Sequence, residues 1–319
     1  MTVTIWDLSA LQPLPRALAI GTFDGVHIGH REVICATVRA AREQGLTATA
    51  LTFDHHPLSI VSPVDEPRVL TPFALKAELI AELGVDEIVV LPFDRSTARL
   101  DPDSFCRELL SERLGAHLVV VGRNFTFGAG GSGSTTTLRA CGRRYGFATA
   151  LVRLARAGGR PISSTRIRKL LQDGRLEQAR EILGRPPRTV GRVVRGFQRG
   201  RQLGFPTANI EAETGTMFPG RGVYAARARV GERWYRAAVN VGHNPTFLHH
   251  GDETGIVHVE AYLLGFEGDI YDEEVRLDFL SRIRAETAFE YVDDLVARMN
   301  LDIEATATCE DPAYVEVGL

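Results

Sequence analysis

The sequence predicts two domains of different class, a doubly wound parallel α/β sheet followed by a smaller antiparallel all-β domain. Three observations carry this. The first half alternates short apolar runs with stretches of helical spacing, the pattern of a parallel sheet with helices on both faces. The second half has strand-like runs parted by glycine-rich turns with no long helix between them, which fits an antiparallel barrel or a sandwich. Between the halves, Gly184, Arg185, Pro186 and Pro187 interrupt the pattern as a linker would. A chain of 319 residues is comfortable for two domains, each with its own core.

The elements follow in order. Ala17–Ile20 is a buried-strand run, and apolar spacing from about His30 to Gln44 makes a helix that Gly45 stops. A strand follows at Thr47–Phe53, then a helix from near Thr71 to Gly84. Ile88–Leu91 and Leu118–Val121 read as strands around a helix near Asp103–Leu114, and Ala148–Val152 as a fifth strand. One helical pattern runs from Ser164 to Leu183. Beyond the linker, strands are expected at Val190–Val194, Val223–Val230, Tyr235–Val241, Val257–Leu264 and Val275–Phe279. An amphipathic helix, roughly Ala288–Met299, comes last, and no pattern is visible after Asp302.

Composition narrows the function. Hydrophobic residues make 44% and charged residues 24%, an ordinary globular balance. The net charge of -3 argues against general nucleic-acid binding, which needs clustered Lys and Arg. The four cysteines, Cys35, Cys106, Cys141 and Cys309, are far apart and form no C-x-x-C pair, so buried thiols in a reducing cytosol are expected rather than a zinc site or a disulfide framework. The N-terminus lacks the basic and apolar regions of a signal peptide, and no stretch reaches the ~20 apolar residues of a membrane span. A cytoplasmic, soluble protein is expected.

The strand Ala17–Ile20 runs into GTFDGVHIGH, residues 21–30. Two histidines sit where a strand turns into a helix. The free N–H groups and positive dipole end of a helix start suit a nucleotide triphosphate. Gly25 and Gly29 let the backbone approach phosphate, and His27 and His30 can donate to phosphate oxygens as charge builds in a transition state. ISSTRIRKL, residues 162–170, has Ser163 or Ser164 as a helix cap, or, with Arg166 and Arg168, makes an anion site. Those arginines lie two apart on a helix, so only one is expected to face phosphates. In GRNFTFGAGGSG, residues 122–133, Phe125 and Phe127 are either core or walls for an aromatic ligand, Asn124 can bond a base or ring, and the glycines read as a flexible lid.

RGFQRGRQLGFPTANI, residues 195–210, repeats glycine every four positions at Gly196, Gly200 and Gly204. That spacing would be costly in a helix and reads as a loop hugging something. Pro206 fixes the backbone before Thr207 and Asn209, which point the same way in an extended segment. Their hard oxygens suit Mg²⁺, or they are turn residues facing water. Glu260, in the strand VHVEAYLL, shares a face with His258 and Tyr262. It is a surface glutamate or, facing a ligand-filled barrel, a base for an attacking hydroxyl.

Together these strings resemble the bacterial bifunctional riboflavin kinase/FAD synthetases. The first half is similar to the adenylyltransferase module through GTFDGVHIGH, TFDHHP at 52–57, GRNFTFG, ISSTRIR and LGRP at 183–186. One departure is His55, where the family usually has proline; His56 keeps the family's histidine. The second half is similar to the kinase module through GFPTAN at 204–209, GVYAA at 222–226, VNVGHNPTF at 239–247, VEAYLL at 259–264 and GDIYDEEVRLDFLSRIRAE at 268–286.

The resemblance implies a Rossmann-like nucleotidyltransferase domain over 1–184, a linker over 185–189, and a kinase domain over 190–319 built as a six-stranded antiparallel β-barrel with a terminal helix. It implies His27, His30 and Arg168 acting on ATP phosphates and Glu260 as general base for the ribityl hydroxyl. Nucleotide contacts are expected from Gly21, Phe23, Gly25, Gly29, Ser163, Ser164 and Thr165 in the first domain. In the second they are expected from Gly200, Arg201, Gly204, Thr207 and Asn209, the last two also holding Mg²⁺. Flavin contacts are expected from Asn124, Phe125, Phe127, Phe205 and Arg284. The implied ligands are riboflavin, FMN, FAD and ATP, with neither nucleic acid nor membrane as partner, for a monomer or weak homo-oligomer. Two rival readings stand beside this one: a riboflavin kinase with a degenerate adenylyltransferase domain, and a flavin- and ATP-sensing protein that turns over neither. A tRNA-synthetase-like reading, suggested by the string HIGH, is opposed by the charge of -3 and the absence of a KMSKS-like string.

Overall fold

The protein is described by a computed structural model over residues 2–153, 155–196, 203–243 and 257–311. Its chain packs into two compact units that divide between Ser164 and Thr165.

The first unit contains β1 (Val3–Ile5), β2 (Arg16–Ile20), α1 (Ile28–Gln44), β3 (Thr47–Phe53), α2 (Pro57–Val61), α3 (Phe73–Ala81), β4 (Glu87–Leu91), α4 (Arg95–Arg99) and α5 (Pro102–Ser104). The last runs on as a π-helix over Phe105–Arg113, followed by β5 (Ala116–Gly122), α6 (Thr135–Tyr145), β6 (Ala148–Val152) and the small hairpin β7 (Arg156–Ala157) and β8 (Arg160–Pro161). Six strands form one parallel sheet in the order β1-β4-β3-β2-β5-β6. Alternation along the strands separates its faces. Leu18, Leu51, Val89 and Val119 join a core with Leu109 and Leu110 of the π-helix and Leu138 of α6. The small residues Ala17, Ala19, Ala48 and Ala50 are wholly buried on the other parity, and α1 packs on β2, β3 and β5.

At the amino end of β2, Arg16 is 1% exposed; it bonds Glu87 at 2.8 Å and the carbonyls of Gln12, Leu14 and Leu114, which satisfies a guanidinium that would otherwise be costly to bury. From β2 the chain builds outward through β3 and β4, then returns to the other flank of β2 as β5. Ligands of such sheets bind at this reversal, beyond the carboxyl ends of the strands. Here those ends, Ile20 and Gly122, lead directly into GTFDGVHIGH and GRNFTFG.

The second unit, from Thr165 on, holds all but the first residue of α7 (Ser164–Gln172), then α8 (Leu176–Leu183), β9 (Arg188–Val194), β10 (Ala208–Ala212), β11 (Gly222–Val230), β12 (Arg233–His243), β13 (Val257–Leu263), β14 (Glu274–Arg284) and α9 (Val292–Thr308). Its strands close into an antiparallel barrel, β10-β13-β12-β11-β14-β9. The helical pattern of 164–183 is two helices, broken where Gly174 takes a φ of 70°. A side chain there would also strike Arg282. The expected linker is ordered: Gly184 caps α8 with a φ of 74°, and the Pro187 carbonyl accepts the Phe279 amide at 2.9 Å. The terminal helix starts later than expected and continues to Thr308. Its buried residues, Asp302 and Thr306, are polar, which hides the period. No helix among the described residues is long and apolar enough to cross a membrane.

Candidate active sites

The turn from β2 into α1 is strained and braced. Phe23 and Val26 take φ values of 51° and 38°, unusual for residues with a Cβ, and Gly25 takes 85°. Asp24, 5% exposed, holds the turn by accepting the Leu70 and Thr71 amides at 2.9 and 3.0 Å and the Thr71 hydroxyl at 3.3 Å. The Thr71 oxygen in turn accepts the Gly25 amide at 2.8 Å. Strain persists where the surroundings over-determine it, most often at functional sites.

The brace presents two histidines. His27 is the N-cap of α1, and its Nδ1 accepts the His30 amide at 3.2 Å. The first intrahelical bond runs from the Arg31 amide to the His27 carbonyl, so the amides of Ile28 and Gly29 remain for a ligand. The two rings stack at 3.5 Å, and Phe23 meets His30 edge-on at 5.4 Å. Burial lowers His27 to about 4, against a small upward pull from its own backbone. His30 lies well below its usual value, through burial first and then the charges of His27 and Lys76. Both are therefore neutral imidazoles at neutral pH. With Nδ1 of His27 accepting, its proton sits on Nε2, which becomes a donor. Nδ1 of His30 is buried with no hydrogen-bond partner, leaving Nε2 as the nitrogen through which that ring serves a ligand. The first turn of a helix is often open to solvent, but His27 is 6% exposed, because the strained turn folds it inward.

This burial sets a pH dependence. An unfolded histidine titrates near 6.5 and folded His27 near 4, so the unfolded chain binds the extra proton between those values. Stability is full above 6.5 and is lost as pH falls toward 4, by up to about 3 kcal/mol for a shift of this size. Urea unfolding of a Trp234→Phe protein, followed by Trp6 in the first unit, should show its midpoint falling between pH 7 and 4.5. A His27→Gln, His30→Gln variant, with both buried imidazoles removed, should show a much smaller fall; an equal one would mean another group is responsible.

The remaining first-unit candidates sort plainly. Gly21 is required because a Cβ there would lie 2.8 Å from the Phe23 ring, and a Cβ on Gly29 would meet the His27 ring at 3.4 Å. The Ser164 hydroxyl donates to the Asp24 carbonyl at 2.8 Å, which joins the ISSTRIR segment to the histidine turn. Ser163 and Thr165 flank it, while Arg166 and Arg168, half-buried on α7, lie past the division between units. Phe127 is 6% exposed and belongs to the core, bridged to Gly133 on both sides. Phe125 stacks on it at 5.6 Å and is half-buried, while Asn124 is exposed. The glycine loop expected as a lid is tied down: Ala129 donates to the Leu100 carbonyl at 2.7 Å, and Gly128 passes so close to Pro102 that a Cβ would not fit. In TFDHHP, Asp54 accepts the Phe93 and His55 amides, each at 2.8 Å, and His56 caps α2 with Pro57 in its first turn. His55 itself is exposed, with its Nδ1 3.1 Å from Asp54 Oδ2.

In the second unit the register builds the site. Asn209 of β10 pairs with Glu260 of β13, and Glu260 pairs with Asn240 of β12. Directly paired residues share a face with Cβ atoms roughly 5 Å apart, so a carboxylate stands between two carboxamides. Asn240 was not singled out in the sequence, since only strand alignment reveals it. Val259, Ala261 and Leu263 are the buried parity of β13, and Glu260 is half-buried on the other. This corrects the expected ligand-filled barrel: a barrel smaller than about eight strands is filled by side chains, so Glu260 lies on the outer wall.

Gly196 lies against that wall, where a Cβ would collide with the Asn209 carboxamide. Gly204 takes a φ of 86°, and Phe205 turns in to meet Tyr262, on the Glu260 face, at 5.9 Å. A groove of about 640 Å³ beside them is lined by Pro206, Thr207, Ala208, Phe266, Ile270 and Tyr271. The Arg195 guanidinium lies 4.7 Å over the Tyr271 ring. Gly200 and Arg201 lie outside the described residues. Arg284, expected at the flavin, is instead bound to Asp302 of α9, with its Nε at 3.0 Å and its Nη2 at 2.8 Å, so it anchors the terminal helix. Among the described residues no three carboxylates, imidazoles or thiols cluster as a metal site. A cation beside Thr207 and Asn209 would take most of its oxygens from phosphates and water, as Mg²⁺ does.

Comparison with known proteins agrees with this division. A family model described as FAD synthetase matches residues 11–166, and one described as riboflavin kinase matches residues 183–309. The chain is 36% identical over 294 residues to a bifunctional riboflavin kinase/FMN adenylyltransferase of Listeria monocytogenes, covering 91% of each. It is 35% identical over 291 residues to the Escherichia coli K12 protein of the same description, again covering 91% of each. A crystal structure from Streptococcus pneumoniae, described as a macrolide-efflux protein, superposes with a TM-score of 0.86 at 30% identity, over 97% of this chain and 99% of that one.

Proposed function

The chain belongs to the bifunctional riboflavin kinase/FMN adenylyltransferases, and from that premise we propose how its residues share the two reactions. It phosphorylates riboflavin to FMN and adenylylates FMN to FAD, using ATP in both steps. What supports the residue assignment is that each unit gathers its own set of polar candidates, one at the capped histidine pair and one at the Asn209–Glu260–Asn240 row.

In the kinase unit, Glu260 takes the proton of the ribityl 5′-hydroxyl as that oxygen attacks the γ-phosphorus of ATP, and ADP leaves as the bond to the bridging oxygen breaks. The groove beside Thr207 takes the adenosine, with Phe266 and Tyr271 as its apolar walls. Mg²⁺, held by the Thr207 hydroxyl and the Asn209 amide oxygen, would neutralise charge on the phosphoryl oxygens. In the adenylyltransferase unit, the FMN phosphate attacks the α-phosphorus of ATP and pyrophosphate leaves. A phosphate nucleophile needs no base, so the site supplies position and hydrogen bonds. The donors are His27 Nε2, His30 Nε2 and the Ile28 and Gly29 amides. Asn124 and the half-buried Phe125 take the isoalloxazine ring. We place the module boundary at residues 185–189 and the protein in the cytoplasm, where the buried thiols of Cys35, Cys106 and Cys141 stay reduced. It acts as a monomer or weak homo-oligomer.

The test is to incubate the purified chain with riboflavin and MgATP and resolve the flavins by chromatography. FMN should appear first and FAD after it; a chain that bound both ligands and changed neither would be a sensor instead. Gly196→Ala, which pushes a methyl group into Asn209, should stop the sequence at riboflavin while FMN supplied directly still becomes FAD. Normal FMN formation by that variant would remove Asn209 from the site.

A further inference from the structure

Lys76 lies on α3 with only 8% of its surface exposed. The helix buries Leu75, Lys76, Leu79 and Ile80, so the lysine stands on the apolar face where a leucine would be expected. Its ammonium donates to the Phe53 carbonyl at 2.9 Å and to the Thr22 carbonyl at 3.4 Å. Those carbonyls belong to different motifs. Thr22 is in the turn that leads to His27, and Phe53 opens the TFDHHP turn at the end of β3. Its Nζ also lies 5.3 Å from the centroid of the Phe73 ring.

We propose that Lys76 is a positioning residue for adenylyl transfer, clasping the turns at the carboxyl ends of β2 and β3 so that the histidine pair meets the nucleotide in one fixed geometry. The proposal rests on the placement of that reaction at His27 and His30. Two carboxylates brace the same turns independently: Asp24 through Leu70 and Thr71, and Asp54 through Phe93 and His55. Lys76 is thus a cation of α3 that spans both turns, and its charge also bears on His30.

A packing role does not account for this choice. Removing an ammonium from water is expensive, and two main-chain carbonyls compensate less than a carboxylate would. Burial lowers Lys76 to about 8, with Asp24 and Asp54 pulling the other way. A methionine of similar shape would relieve that cost, so fold stability alone favours its replacement. A residue that costs stability and holds functional turns is the signature of a site selected for activity.

The experiment uses the full chain in a Trp234→Phe background and compares Lys76→Met, His27→Asn and the parent. FAD formation from FMN and MgATP, FMN formation from riboflavin, and urea unfolding followed by Trp6 are measured between pH 6.5 and 9. Lys76→Met should lower kcat/KM for FAD formation by roughly 10²-fold, the scale of a misplaced reacting group. Kinase activity should stay at the parent value and the unfolding midpoint should hold or rise. The parent should lose FAD formation above pH 8 as Lys76 gives up its proton, and the variant should show no such limb. His27 and His30, neutral throughout this range, add no limb of their own. FAD formation at the parent rate would overturn the proposal, as would a midpoint that falls in step with the rate, the mark of a structural residue. If His27→Asn also leaves FAD formation intact, the placement of the whole site fails; if only His27→Asn abolishes it, the Lys76 role alone fails.

Discussion

Glu260→Gln should lower riboflavin phosphorylation by roughly 10² to 10⁴-fold, the range general base catalysis contributes, and leave FAD formation from supplied FMN unchanged. The glutamine keeps the size of the side chain and sits between the carboxamides of Asn209 and Asn240 in the strand register. The barrel should therefore fold as before, since the buried parity Val259, Ala261 and Leu263 is untouched. What is lost is the ability to accept a proton from the attacking hydroxyl. Initial rates of each half-reaction, with riboflavin or FMN as the only flavin, measure the two effects separately. An unchanged kinase rate would remove Glu260 as the base. Loss of both activities in a folded protein would mean that the two reactions share a flavin site.

Much of this architecture is written in local pattern. β3 and β6 occupy the spans expected from their apolar runs, Thr47–Phe53 and Ala148–Val152, and Gly45 ends α1 with a φ of 66°. The elements that escaped detection have physical reasons. β1 is a three-residue strand at the sheet edge, too short to show a period. α6 begins in a run of serine and threonine that reads as loop, yet Ser134 and Thr137 form a reciprocal capping box there. β10 follows a Gly-Pro turn and alternates only briefly. The helix Val292–Thr308 was cut short because its inner face carries Asp302, bound by Arg284, and Thr306, bonded to the Asp302 carbonyl.

The site was legible to the same degree. The strand-to-helix context of GTFDGVHIGH pointed to His27 and His30, while the braces around them did not show. Asp24 meets Thr71 across a separation of 47 residues, and Lys76 meets Thr22 across 54. One signal was available: Lys76 falls three before Leu79 and four before Ile80, on the stripe that a helix buries. A lysine at an apolar position of a helix that follows a nucleotide-binding turn calls for an explanation by function. Arg284 was the reverse case, a cation in a family-matching stretch whose partner on α9 could not be known before the fold.

The His27→Asn, His30→Asn double variant should convert riboflavin to FMN and stop there, with FAD formation lowered by 10² to 10³-fold or more, since losing one transition-state donor costs about that much. Asparagine is chosen over alanine because the rings are packed: His27 caps α1, and its ring lies 3.5 Å from that of His30. An asparagine at position 27 can still cap the helix, so the loss reads on chemistry rather than on folding. The protonation state gives a second test. Because burial holds His27 near 4 and His30 well below its usual value, the donors are neutral N–H groups. The kcat/KM of the parent protein for FAD formation should then not fall between pH 6.5 and 7.5, where the FMN phosphate, with a second ionisation near pH 6, is mostly the dianion. If the histidines had to be imidazolium, the rate would instead fall about tenfold per unit of pH above their titration, since each unit removes nine-tenths of the remaining protonated form. A profile that declines through this range would show that the folded site holds a charged histidine, and the stacked, neutral pair would have to give way to one in which burial is offset by an acidic partner.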